Sequence, residues 1–73
     1  MEEEFESEFD GGETGCGELL LDLRLHFADL PSGSKVRVRA LDAGAPHEIP
    51  AWCRVVKHGL LKAEHPFYLI EKN

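Results

Sequence analysis

The chain has 73 residues, enough for one small domain with a limited hydrophobic core. Its net charge is −6, and residues 1–18 hold eight of its 14 acidic residues and no lysine or arginine, a balance that argues against a direct nucleic-acid partner. No apolar run is long enough to span a membrane and the N-terminus is acidic where a signal peptide is basic, so we expect a single cytoplasmic domain over residues 1–73 with no membrane partner.

The first segment has the period-two alternation of a short, half-buried strand. Three acidic residues share one face and three less polar residues share the other: Glu4, Glu6 and Glu8 against Phe5, Ser7 and Phe9. The glycine-rich sequence DGGETGCG then predicts a loop that ends at Cys16.

The run ELLLDLRLHFADL fits both a strand and a helix, because its apolar residues satisfy either period. Leucine prefers helices, the run has no β-branched residue, and Pro31 and Gly33 follow it as they commonly follow a helix. These features favour a helix from Cys16 to about Leu30.

The remaining segments predict a strand, a second helix and a hairpin. KVRVRAL alternates cleanly and predicts a strand with Val36 and Val38 facing inward. After the loop DAGAPHE, apolar residues at helical spacing start at Ile49, with Pro50 in the first turn and Gly59 as the stop after His58. LLKAEH and FYLIEK predict two strands joined near Pro66.

This order of elements, βαβαββ, predicts an α/β fold. Specifically, we expect a two-layer α/β sandwich in which two helices cover one face of a mixed four-stranded sheet. The other face would be polar, and if the first two strands are neighbours, their acidic and basic residues could pair across it.

With its elements in this order, the chain resembles the TusA/SirA family of small sulfur-carrier proteins. The resemblance rests on Cys16, on the turn LPSG at residues 30–33, on IPAWC at residues 49–53 and on His58. Where the family has CPxP, this chain has CGEL, so the cysteine is present and both prolines are absent. The resemblance implies a persulfide sulfur carrier whose donor is a cysteine desulfurase or another sulfurtransferase. It also implies a protein acceptor in tRNA thiolation, sulfur oxidation or molybdenum-cofactor metabolism, with no cofactor.

Cys16 is the candidate catalytic residue, because unpaired amides at a helix N-terminus favour a thiolate, the form that sulfur transfer needs. Gly15 and Gly17 would keep the thiol accessible, while the charge of Glu18 would oppose ionisation. Alternatively, Cys16 is a buried helix-capping residue of ordinary reactivity and the protein is a non-catalytic binding or regulatory module.

The other candidate residues have mainly structural interpretations. Cys53 lies on an apolar helical stripe and is predicted to be core, although a Cys16–Cys53 disulfide stays an alternative. His58 ends a helix, where the dipole favours a cation. The cysteines and histidines lack the spacing of metal ligands, so no metal site is predicted.

Overall fold

The computed structural model of the protein describes residues 5–73. It contains six elements in the predicted order βαβαββ: β1 (Ser7–Gly12), α1 (Cys16–Ala28), β2 (Lys35–Ala40), α2 (Ala45–Val56), β3 (Gly59–Glu64) and β4 (Phe67–Glu71). None of the helices in this part of the chain has the length and hydropathy to cross a bilayer.

The four strands form one mixed sheet in the order β1-β2-β4-β3. β1 is parallel to β2, and β4 is antiparallel to both of its neighbours. The helices cover one face, which confirms the predicted two-layer α/β sandwich. Its core joins inward residues of the sheet to one side of each helix: Val36, Val38, Ala40, Tyr68 and Ile70 with Leu19, Leu23, Phe27, Ile49 and Cys53.

The open face of the sheet carries the predicted pairs between β1 and β2. Glu8 accepts a hydrogen bond from Arg37 Nε at 2.7 Å, and Asp10 pairs with Arg39 at 2.8 Å. Glu6 instead accepts a hydrogen bond from the backbone N–H of Lys35. Glu4, which was predicted to lie on the same face, is outside the described residues. Because the pairs are exposed to solvent, they contribute little to the stability of the fold.

Two predicted boundaries near the first loop and the first helix need correction. β1 continues through Gly12, because Asp10 and Gly12 pair with Arg39 and Ala40 of β2. Three residues of the predicted loop therefore belong to the strand. α1 begins at Cys16, as predicted, and ends at Ala28 rather than Leu30.

The predicted limits of the second helix were also wrong. α2 begins at Ala45, because a turn held by Asp42 leads directly into it and Pro46 lies in its first turn. Pro50 is therefore inside the helix. At the other end, Lys57 takes the left-handed conformation with φ 69° and ends the helix, whereas Gly59 begins β3.

Candidate functional site

α1 begins at the predicted catalytic residue, Cys16. Gly15 precedes it with an extended backbone, φ −64° and ψ 151°, and its carbonyl accepts the first helical hydrogen bond from Leu19 N at 2.8 Å. Cys16 therefore occupies the first helical position, where backbone N–H groups have no partner within the helix. The Cys16 side chain is outside the part of the chain that the structure describes, so its role stays a prediction.

The loop before α1 is fixed by backbone hydrogen bonds. Leu41 N donates to Gly12 O at 2.8 Å, and Thr14 N donates to Gly11 O at 3.0 Å. Gly12 has φ 53°, a conformation that favours glycine. A Cβ atom on Gly11 would clash with the side chain of Leu19, so β1 and α1 approach closely here. These contacts hold the start of α1 in a defined position at the end of the sheet.

Asp10 helps to order the same loop from the open face of the sheet. Its Oδ1 atom accepts a hydrogen bond from Gly12 N at 3.0 Å and another from Arg39 at 2.8 Å. The bond from Arg39 is the main reason that the pKa of Asp10 is below its usual value. Asp10 therefore links the turn at Gly12 to Arg39 of β2.

The residues on both sides of Cys16 are open to solvent. Gly15, Gly17 and Glu18 are exposed, and a Cβ atom on either glycine would meet no atom within 4 Å apart from those of its chain neighbours and the local helix backbone. Glu18 is the acidic residue of the first turn, where its charge interacts favourably with the helix dipole. The start of α1 therefore leaves room for a partner protein. The backbone amides in the first turn of α1 would stabilise a thiolate at Cys16, whereas the negative charge of Glu18 would destabilise it.

Cys53 has the opposite environment. It is 2 % exposed within the core, and burial raises its pKa from 9.0 to about 11. Both helices return across the sheet from the carboxyl end of a strand, so both begin at the same end of the molecule. Cys53 lies eight residues into α2, about 12 Å along the helix from that end. Cys53 is a free thiol in this structure, so the alternative Cys16–Cys53 disulfide is not formed here.

A groove that was not predicted lies between the last turns of the two helices. It has a volume of about 230 Å³ and is lined by Arg24, Phe27, Ala28, Trp52, Val56, His58 and Lys72. The Phe27 ring stacks on the ring of His58 with centroids 4.8 Å apart, and Trp52 meets both rings edge-on. The floor of the groove is therefore a cluster of three packed rings.

His58 and Lys72 are held at one side of this groove. Lys72 Nζ donates hydrogen bonds to the carbonyls of Phe27 and Leu30, both at 2.8 Å, and so caps the C-terminal end of α1. His58 Nδ1 accepts a hydrogen bond from Asn73 N at 3.1 Å. Burial, and to a lesser extent the charge of Lys72, lowers the pKa of His58. His58 is thus a packed, neutral ring at pH 7 rather than a cation at a helix end.

No cluster of three or more histidine, cysteine or acidic side chains that could hold a metal ion occurs among the described residues. No protein-family model matches the chain, and no curated protein matches it. The function must therefore be argued from the two features at opposite ends of α1: its start at Cys16 and the groove beside its last turns.

The groove was missed because its residues come from segments that look structural one at a time. Phe27 and Trp52 fit the helical core pattern, and Lys72 lies in the last three residues of the chain. Only the fold brings Lys72 to the end of α1, where it donates hydrogen bonds to the carbonyls of Phe27 and Leu30. The available sequence signal was weak: Arg24 is a basic residue within an apolar helical run.

Replacing Gly17 by alanine should stabilise the protein by about 0.5–1 kcal/mol. Gly17 is helical, and the added methyl group would enter open space, so the substitution mainly removes backbone freedom from the unfolded chain. Urea unfolding followed by circular dichroism measures the change. The matched control is Gly33→Ala, which should destabilise because Gly33 has φ 91°. A loss of stability in Gly17→Ala would contradict the open environment described for this turn.

Proposed function

We propose that the protein is a sulfur carrier of the TusA type, which accepts a sulfur atom on Cys16 as a persulfide and passes it to another protein. The observation that carries the proposal is the start of α1 at Cys16 between exposed, unobstructed neighbours. A thiol in this position benefits from the partial positive charge of the helix N-terminus and can be approached by another protein's active site.

The transfer is a thiol exchange in which atoms and electrons balance. The Cys16 thiolate attacks the outer sulfur of a donor persulfide, the sulfur–sulfur bond of the donor breaks, and the donor cysteine leaves as a thiolate. The outer sulfur keeps its proton and becomes the terminal atom of a Cys16 persulfide. An acceptor thiolate then attacks the same sulfur and regenerates the Cys16 thiolate.

The partners of such a carrier are proteins. A cysteine desulfurase is the expected donor, and a second sulfur-handling protein is the expected acceptor. The exchange needs no metal or organic cofactor, because a thiolate alone is the nucleophile. A reducing compartment such as the cytoplasm would keep Cys16 available between cycles.

Persulfide loading tests this function directly. The protein is incubated with a cysteine desulfurase and L-cysteine, and intact-mass spectrometry measures the addition of one sulfur atom. Wild type and Cys53→Ala should both gain the sulfur, and Cys16→Ser should not. Peptide mapping should place the addition on Cys16. Equal loading of Cys16→Ser, or no loading of the folded wild type, would overturn the proposal.

A further inference from the structure

The groove between the last turns of α1 and α2 combines an apolar floor with positive charge. Of its lining residues, Arg24 and Lys72 carry full positive charges, and no aspartate or glutamate side chain lines it. Arg24 is exposed and forms no ion pair with any residue in the range 5–73. This local charge is opposite to that of the chain, whose net charge is −6.

From these observations we propose that the groove binds an acidic segment of a partner protein, inserting one large apolar side chain between flanking carboxylates. Its volume of about 230 Å³ is below the roughly 300–1,000 Å³ typical of sites for small-molecule ligands and cofactors. The space suits a single anchoring side chain, and the positive charges beside it select the carboxylates of the same segment.

The groove is ordered before it binds anything. Its aromatic floor is packed with ring centroids 4.8–5.8 Å apart, and the two hydrogen bonds from Lys72 to α1 hold that ammonium group in place. Lys72 Nζ has three protons and donates two of them to these carbonyls, so one stays available to a ligand oxygen. Binding therefore orders few protein side chains, a condition that favours affinity for a short segment.

The groove is also separate from the candidate thiol. Phe27 lies eleven residues after Cys16 in the same helix, a distance of about 16 Å along its axis. A partner held in the groove would leave the start of α1 uncovered. The binding proposal does not depend on the proposed sulfur transfer, and each can fail without the other.

The chain supplies its own reporter, because Trp52 lines the groove and is the only tryptophan. The probe is the peptide acetyl-Glu-Glu-Phe-Glu-Glu-amide, titrated against the full chain while Trp52 fluorescence is recorded. We expect saturable binding that weakens as salt rises from about 0.05 M to about 0.5 M. Replacing phenylalanine in the peptide by serine, or its glutamates by lysines, should each raise the Kd at least about tenfold.

Two charge-reversal variants locate the site. Arg24→Glu should raise the Kd for the acidic peptide at least about tenfold, because it places a carboxylate beside the bound ones. Arg54→Glu changes the net charge equally on an exposed position of α2 outside the groove, and should have little effect. Circular dichroism confirms that both variants are folded.

Three results would overturn the proposal. The first is an equal rise of the peptide Kd in Arg24→Glu and Arg54→Glu, which would mean that only the net charge of the protein matters. The second is equal binding of the acidic and basic peptides or the absence of saturation. The third is a dimer in sedimentation experiments that Arg24→Glu dissociates and the peptide does not, which would assign the groove to a second copy of the chain.

Discussion

Phe27→Ala should lower the free energy of unfolding by about 3–5 kcal/mol, the largest stability loss that we expect from a single substitution. Phe27 is 1 % exposed, and its ring contacts the rings of both Trp52 and His58. Truncation leaves a cavity where α1, α2 and the end of the chain meet. A domain of 73 residues has a total stability of roughly 4–11 kcal/mol, so a large share of it would be lost.

Chemical denaturation measured by circular dichroism tests this value. Phe67→Ala is the matched control, because Phe67 is 37 % exposed on the open face of the sheet and its ring centroid lies 4.7 Å from the guanidinium carbon of Arg37. It should cost less than about 2 kcal/mol. If Phe27→Ala proves too unstable to purify, Phe27→Leu should still show a loss of about 1–2 kcal/mol. Equal losses in Phe27→Ala and Phe67→Ala, or no loss in Phe27→Leu, would contradict a central role for the ring cluster.

The sequence was sufficient to predict the topology, because each element carries a local signal that agrees with its tertiary environment. The alternation in KVRVRA matches a strand whose valines are fully buried and whose basic residues face the open side. In α1, the choice of helix over strand is confirmed, and Leu21 and Leu25, which a strand would have buried beside Leu23, are 56 % and 65 % exposed. Periodicity alone could not make this choice, whereas helix propensity could.

The errors lie where backbone hydrogen bonds override local propensity. Asp10 was assigned to a loop because of the glycines that follow it, yet pairing with β2 extends the strand through Gly12. Lys57 takes a left-handed conformation although Gly59 was the better candidate, because the His58 N–H bonds back to Cys53 O at 3.0 Å and closes the helix earlier. Neither interaction has a sequence signal within its own segment.

The two candidate sites also differ in how far they could be predicted from local sequence. The start of α1 at Cys16 was predicted from a glycine, a cysteine and the apolar run that follows, all of which are contiguous. The groove needs α1, α2 and the residues after β4, which are up to 48 positions apart from Arg24 to Lys72. The position of the candidate thiol could be predicted from one short segment, whereas the groove is formed by three segments and could be identified only from the fold.

The two thiols should differ in reactivity by a large factor in the native protein, and Cys53 should be the protected one. Its pKa is raised from 9.0 to about 11, because burial in the core disfavours the thiolate. At pH 8 its ionised fraction is about 0.001, compared with about 0.1 at the ordinary value. Since only the thiolate reacts with iodoacetamide, alkylation of Cys53 should be at least about 100-fold slower in the folded state than after unfolding.

The Cys16→Ser variant isolates this measurement, because Cys53 is then the only cysteine. Mass spectrometry at pH 8 should detect almost no alkylation without denaturant and rapid alkylation in guanidinium chloride. The same burial makes the free energy of unfolding depend on pH. Below about pH 9 the Cys53 thiol is neutral in both the folded and the unfolded chain. Between pH 9 and about 11 it ionises only in the unfolded chain, so the folded state loses stability as the pH rises. Cys53→Ala should make this decline shallower. Rapid alkylation of native Cys16→Ser would contradict the burial of Cys53 and would mean that labelling of the wild type does not report on Cys16 alone.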